Sequence, residues 1–529
     1  MIAHAEALAP GLSLEQLAGV LAHEFGHFGQ RAGMRLSYVI RSVNIWFARI
    51  VYERDQFDQT LEQTVKEGGD WRLQAIAGVA AAGVWLSRTI LKGLMYAGHV
   101  LSSSLQRQME FDADRYAMRL VGRDVHASVL RDVFVLSQVY QVSLSEVWDQ
   151  YRQRSLCNSL AAMMHADRQR FAGPLESAYQ EHLSEGRTHL FDTHPTDRER
   201  ITASLSGPAA GTFSCDLPAS ILFRDFASLE RTVSRDLFQG ILGRPLTDDA
   251  LVPADQALAA MEERRLDGEA AERYIPGGVS LLHPPPLPAT LPSAPEEPRE
   301  ALRKAVAAVE AGREAGAAAV ESYAEIYNKK ISADRAEALL GLGLSIEAAS
   351  FGLEYAHQDA AREVRDAAAP QLEELAQRIA PLKLDVVRRM TAALALHDHP
   401  DVAGRLLAAA ARLRQLLPLL LQIQETRILM ILVSNADAEG KLAGPILTLT
   451  QQGHGQLAEL LKELEGAMDP FAEEPVPLNR MAAPDGLPPA EPGPVYHALD
   501  AAGALPELYA RSLGRLCRMA EGVEALLVA

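Results

Sequence analysis

The stretch LSLEQLAGVLAHEFGHFGQ, residues 12–30, carries two histidines four positions apart, with a glutamate directly after the first. Ser13 and Gln16 fit a capping box, in which hydroxyl and side-chain amide satisfy backbone donors that a helix start leaves orphaned. Leu14, Leu17, Ala18, Leu21, Phe25 and Phe28 then recur at helical spacing. The spacing predicts a helix from Leu14 to Gln30. Positions i and i+4 share a helix face, so His23 and His27 can aim imidazole nitrogens at one ion, as zinc requires. Glu24 projects from a neighbouring direction, where it can hold and deprotonate a zinc-bound water without ligating the metal. The plain alternative is a capped amphipathic helix with surface histidines.

Two apolar segments follow. The first, Leu36 to Tyr52, is interrupted by Arg41 and Arg49, and the second runs from Leu73 to Leu105. Neither holds an uninterrupted apolar run of the length an independent membrane span needs, about twenty residues. The second segment is apolar on all sides up to Leu86. Beyond it, Arg88, Lys92, Tyr96, His99, Ser103 and Arg107 form a stripe at spacings of three or four. One end therefore suits lipid or a deep core, and the other presents a polar face to protein or water. Flanking arginines that can snorkel favour membrane insertion or interfacial anchoring over a buried soluble hairpin.

The stripe leads into RQMEFDADRYAMRL, residues 107–120, where Glu110 and Asp114 are again four apart. A zinc site of two histidines and one carboxylate leaves a fourth position for water or substrate. Glu110 can supply the carboxylate. Asp114 can accept the free ring N–H of a ligating histidine and fix its orientation, while Asp112 reads as a solvated acid.

HEFGH followed at long distance by EFDADRYA resembles the membrane-associated zinc metallopeptidases of the heat-shock protease HtpX and the CAAX prenyl endopeptidases, peptidase family M48. In that family a helical hairpin, often transmembrane, fills the interval between the second histidine and the third ligand. DTHPTDRERI adds a third element, matching the family's His-Pro pattern through His194, Pro195 and Arg200. The resemblance covers about residues 12–201 and implies that His194 reaches the site and stabilises the oxyanion. It further implies that Arg200 braces the site by pairing with a carboxylate. Family members also have a substrate-aligning edge strand before the zinc helix, and at most twelve residues precede Ser13 here. That departure points to an N-terminally truncated start or a shortened relative.

At 529 residues, 48% hydrophobic and 23% charged, the chain is globular and long enough for two or three domains. A net charge of −18 argues against a general nucleic-acid binder. Cys157, Cys215 and Cys517 lie far apart and read as thiols in a reducing compartment. The proline-dense stretch from Ile275 to Pro298 reads as a semi-rigid linker. Beyond it the alanine-, leucine- and glutamate-rich sequence predicts a separate bundle of roughly six to eight helices. NADAEGKLAGPI, residues 435–446, has Ile446 where a calcium loop needs a bidentate glutamate, so it reads as a helix-ending turn. HDHP, residues 397–400, reads as an interhelical loop.

The expected fold is mainly α. It has a gluzincin-type zincin catalytic domain over 1–240 with an inserted helical hairpin at about 32–106. An irregular region and Pro-rich linker over 241–298 and an α-helical bundle over 299–529 complete it. The expected function is a zinc metalloendopeptidase holding one Zn2+ per chain through His23, His27 and Glu110. Glu24 would be the general base, with His194 also in the catalytic machinery and Asp114 and Arg200 behind the ligands. Its substrates would be proteins or peptides, with a protein partner of the bundle as a further expectation. The resemblance places it in membrane-protein quality control or processing at a bacterial-type inner membrane, active site towards the cytoplasm, with a cytoplasmic location as the alternative. The competing reading is a catalytically impaired or truncated relative that acts as a scaffold through its C-terminal bundle.

Overall fold

The first helix starts where its capping box predicts. Ser13 Oγ accepts from the Gln16 amide at 3.2 Å, and the Ser13 amide donates to Gln16 Oε1 at 2.9 Å. In a computed structural model of the chain, this helix, α1, runs Leu14–Gly29. The structure describes residues 11–52, 71–153, 155–243, 245–247, 250–293, 296–436, 442–472, 476–483 and 486–528. Residues 437–441, which carry part of the calcium-like stretch, lie outside the described residues, as do residues 1–10 ahead of the zinc-type helix.

The protein is mainly helical. Its elements continue as α2 (Arg31–Tyr52), α3 (Trp71–Val121), α4 (Arg123–Ser145), α5 (Val147–Arg152), α6 (Leu160–Arg170), α7 (Ala172–Glu185), α8 (Asp197–Ser204), α9 (Phe226–Leu242) and α10 (Ala254–Tyr274). After the proline-rich segment come α11 (Pro298–Gly341), α12 (Gln358–Leu394), α13 (Pro400–Ala436), α14 (Ala443–Glu463), α15 (Asn479–Ala482), α16 (Pro492–Ala502) and α17 (Ala504–Val528). Among the described residues there is no β-strand, only isolated bridges. One of these, Ser13 with Pro218, lies at the entry to α1, where the Leu14 amide donates to Leu217 O at 2.7 Å and the Ala219 amide to Leu12 O at 3.1 Å.

The chain divides into two compact units: Met1–Val147 with Cys157–Ala254, and Trp148–Leu156 with Asp255–Ala529. In the first unit α3 is a single helix of 51 residues that carries both the apolar segment and the acidic motif. α2 packs along its first half, with Asn44 buried against Gly98, where a Cβ would clash with Asn44 Oδ1. Arg88 Nε also donates to Ile50 O at 3.1 Å. The two helices leave many large apolar side chains exposed, among them Leu36, Ile45, Trp46, Val79, Trp85 and Ile90.

Two boundaries differ from the sequence reading. The stretch 241–298 was expected to be irregular, yet 21 of its residues form α10. ADQALAAMEERRLDGEAAERY contains no proline and buries a face of small residues, Ala257, Ala270 and Ala271, closed by Tyr274. Residues 148–156 also belong to the second unit, where Arg152 Nη2 and Gln153 Nε2 reach Glu507 at 3.1 and 2.7 Å. Within that unit the core is built on α12, α13 and α17, around Met390, Leu407, Leu417 and Leu513. Among the described residues, α13 is the one helix long and apolar enough to cross a membrane by length and composition. Its Leu406, Leu413, Leu420 and Val433 are buried in that core. The histidines of HDHP lie in the turn between α12 and α13, as read.

Candidate metal centre

α1 is fixed at its start before it presents its histidines. Gln16 closes the capping box and also donates through Nε2 to Asp132 on α4 at 2.7 Å and to Ser128 Oγ at 3.1 Å. Arg168 binds the same Asp132 at 2.6 Å and Gly11 O at 3.1 Å. Near its other end α1 crosses α3 at Gly26, where a Cβ would come within 3.0 Å of Ala113 Cα. Only glycine allows that approach without displacement, and the approach sets how far the imidazoles stand from Glu110.

His23 Nε2 lies 3.4 Å from Glu110 Oε2, and His27 Nε2 lies 3.8 Å from Glu110 Oε1. One ligand atom from each residue falls within 4.8 Å of the others. Tetrahedral zinc with bonds of about 2.0–2.1 Å separates its ligands by roughly 3.3 Å, so the cradle is slightly open and of the right size. Two neutral nitrogens and a carboxylate are the donor set of a zinc site with a free position. Glu24 stands on the same helix, half-buried, with no hydrogen bond or ion pair among the described residues. Its carboxylate is therefore free to accept from a water.

Behind these three side chains Asp114 gathers the charge. Only 2% exposed, it faces His23 Nδ1 at 3.0 Å and receives Arg200 through Nε at 2.9 Å and Nη2 at 2.5 Å. Burial works against its ionised form, but these hydrogen bonds hold the carboxyl well below the usual range. Burial likewise opposes a charge on His23, and the carboxylates of Asp114 and Glu110 outweigh it, raising the imidazole to about 9. Glu110 is lowered, since His23 and His194 outweigh its own burial. Arg200 thus meets a carboxylate, and that carboxylate is the one that orients His23.

His194 enters from the segment before α8. Its Nδ1 lies 3.0 Å from Glu110 Oε1, and its side chain is 74% exposed. The segment hangs on the polar stripe of α3: Ser103 Oγ donates to Phe191 O at 3.0 Å, and Arg107 Nη1 to Asp192 O at 2.6 Å. Thr196 and Glu199 form a second capping box, which starts α8 one turn before Arg200.

The sequence reading missed His126. It is 3% exposed on α4, with Nε2 at 3.5 Å from Asp114 Oδ1. Burial pushes its imidazole down, so it stands as a neutral neighbour of the Asp114 carboxylate. No spacing rule links residue 126 to 114, because the turn at Gly122, with φ at 84°, brings α4 back along α3. A Cβ on Gly122 would also meet Ala209 O at 2.8 Å.

No curated protein and no solved structure matches the chain. Residues 2–207 match Peptidase family M48, an interval that includes α1, both apolar helices, the acidic motif and the DTHPTDRERI segment. The family's hallmark is peptide-bond hydrolysis, and the matched region contains every residue of the centre described above. Over this N-terminal part the chain is similar to peptidase family M48.

Proposed function

We infer that the N-terminal unit is a zinc-dependent endopeptidase acting on proteins or peptides at a membrane. The observation that carries the reading is the meeting of His23, His27 and Glu110, from two helices far apart in sequence, within 4.8 Å. His23, His27 and Glu110 would hold the zinc, which would supply Lewis acidity and lower the pKa of a bound water towards neutrality. The chain's own groups do the rest. Glu24, unpaired among the described residues and on the same helix as His23 and His27, would be the group to accept a proton from a water and pass it to the leaving amine. Asp114 keeps His23 in the orientation that leaves Nε2 for the metal, and Arg200 keeps Asp114 charged. His194 is exposed on the solvent side of Glu110, where its ring N–H can donate to the oxyanion that develops on the scissile carbonyl.

Membrane attachment is supported by α2 and α3, whose exposed apolar side chains include Trp46 at 57% and Trp85 at 68%. Large exposed apolar side chains in number on one helix pair suit a protein or lipid contact. A quality-control or processing role at a bacterial-type inner membrane, with the active site towards the cytoplasm, is the setting that this family likeness suggests.

The test is zinc content and hydrolysis of casein or a quenched peptide, for wild type and Glu24→Gln, with flotation of both on liposomes. One zinc per chain in both, cleavage by wild type alone and co-flotation support the whole reading. Zinc in both with cleavage by neither supports the scaffold alternative. Absence of zinc refutes the metal centre, and full activity without lipid or detergent refutes the membrane assignment.

A further inference from the structure

In the C-terminal unit a cavity of about 540 Å³ is bounded by α11, α13, α14 and the proline-rich segment, a size suited to a small ligand. Leu281, Pro284, Leu417 and Leu421 give it apolar walls, and Arg414 and Gln456 line it as well. Arg414 Nε and Gln456 Oε1 are buried and have no hydrogen-bond partner among the described residues. The Tyr509 hydroxyl, on a fully buried side chain, is likewise unpartnered, and the charge of Arg414 acts on it.

Arg414 stands out against its neighbours. Arg335 is held by Glu425 at 2.6 and 2.8 Å, Arg427 by Asp500 at 2.9 Å, and Arg515 by Asp267 at 2.7 Å. Glu425 also lines this cavity, but Arg335 already occupies both its oxygens. Arg414 has no carboxylate partner among the described residues, in a chain whose net charge is −18.

Each orphaned group specifies something about what would fill the cavity. An unpaired guanidinium in a partly desolvated site selects a carboxylate, which it can bind through two donors. An unpartnered amide oxygen calls for an N–H. Apolar walls gain from apolar side chains removed from water. A fatty acid meets the first and third requirements and lacks the N–H.

We propose that this cavity binds the free α-carboxylate end of a short apolar peptide, with the carboxylate on Arg414, a backbone N–H on Gln456 and the side chains against Leu417 and Leu421. The proposal goes beyond the peptidase reading and does not rest on it, since it is read by binding alone.

Isothermal titration of the full chain with acetyl-Leu-Leu-Leu, its C-terminal amide and decanoate tests it, with Arg414→Gln and Leu421→Trp as variants. Losing a charge-assisted pair weakens binding roughly tenfold or more. The free acid is expected to bind wild type, and the amide to bind at least about tenfold more weakly. Arg414→Gln is expected to lose a similar factor, and Leu421→Trp, which puts an indole where the peptide side chains would pack and keeps the charge, to weaken binding as well. Peptide held at the zinc-type centre would be indifferent to both substitutions. No binding of the free acid, equal binding of acid and amide, or binding indifferent to Arg414→Gln and Leu421→Trp would each overturn the proposal. So would Arg414-dependent binding of decanoate without the peptide, which would make this an acyl-carboxylate site. Should Arg414→Gln fail to fold, Leu421→Trp and the acid–amide comparison on wild type still decide.

Discussion

Gly26 of α1 lies against Ala113 of α3 so closely that a Cβ would sit 3.0 Å from the Ala113 Cα. The contact is backbone to backbone, so no side-chain rotation can relieve it. It lies three residues from both His23 and Glu110, on the two helices that contribute them. Helix separation here therefore also sets the separation of the proposed ligands. Gly26→Val is expected to force α1 away from α3, weaken zinc at least tenfold and destabilise the unit by about 1–3 kcal/mol. Gly93→Ala on α3, where a Cβ would meet nothing within 4 Å, is the matched control. Competition with a chromogenic chelator reads the affinity. Unchanged zinc affinity in Gly26→Val would show that the helix crossing does not set the site.

The pairing of Arg200 with Asp114 makes a second expectation. The Asp114 side chain is 3% exposed and that of Arg200 17%. Breaking a buried pair by removing one partner costs about 3–5 kcal/mol, because the other charge stays buried and uncompensated. Arg200→Met should show that loss in a denaturant melt, and a drop in zinc affinity of roughly 10–100-fold, as for other partners of metal-ligating histidines. Asp114→Asn added to Arg200→Met removes the stranded charge and should recover part of the stability. The cycle is the decisive measurement: strictly additive losses would mean that the two residues act independently.

These relationships differ in how far they could be read from the sequence. The capping box of Ser13 and Gln16 and the pairs His23/His27 and Glu110/Asp114 follow from helical spacing; Ser13 caps α1 and both pairs lie on helices. That the two pairs meet was implied by the family resemblance and not by spacing. His126 could not be read in either way. It reaches Asp114 through the corner at Gly122, and a glycine's positive φ leaves no local mark on which residue it brings back. The helix Ala254–Tyr274 was hidden for a different reason. Its buried face is largely alanine, which gives little hydrophobic contrast, and the prolines after Ile275 outweighed it. Residues 148–156 join the second unit through Arg152 and Gln153 on Glu507, a separation that no window along the chain spans.

Lys383 offers a test on the C-terminal unit. It sits on α12, 4% exposed, and its Nζ has no hydrogen-bond partner among the described residues. Burial alone brings its ammonium down from 10.5 to about 7. Below pH 7 the group is protonated in both folded and unfolded chains, and the cost of burying the charge is constant. Between pH 7 and 10.5 the unfolded chain binds more protons than the folded one, so stability rises with pH. The slope is on the order of 1.4 kcal/mol per pH unit. Above 10.5 the amine is neutral in both states and the charge cost is gone. Lys383→Met removes the charge at every pH. The variant should therefore be more stable than wild type by a few kcal/mol at pH 7, with the gap shrinking steadily towards pH 10. Guanidinium unfolding at pH 7, 8, 9 and 10 measures it. A gap that stays constant over that range would mean that Lys383 is charged and solvated in the fold, with water or an anion at its Nζ.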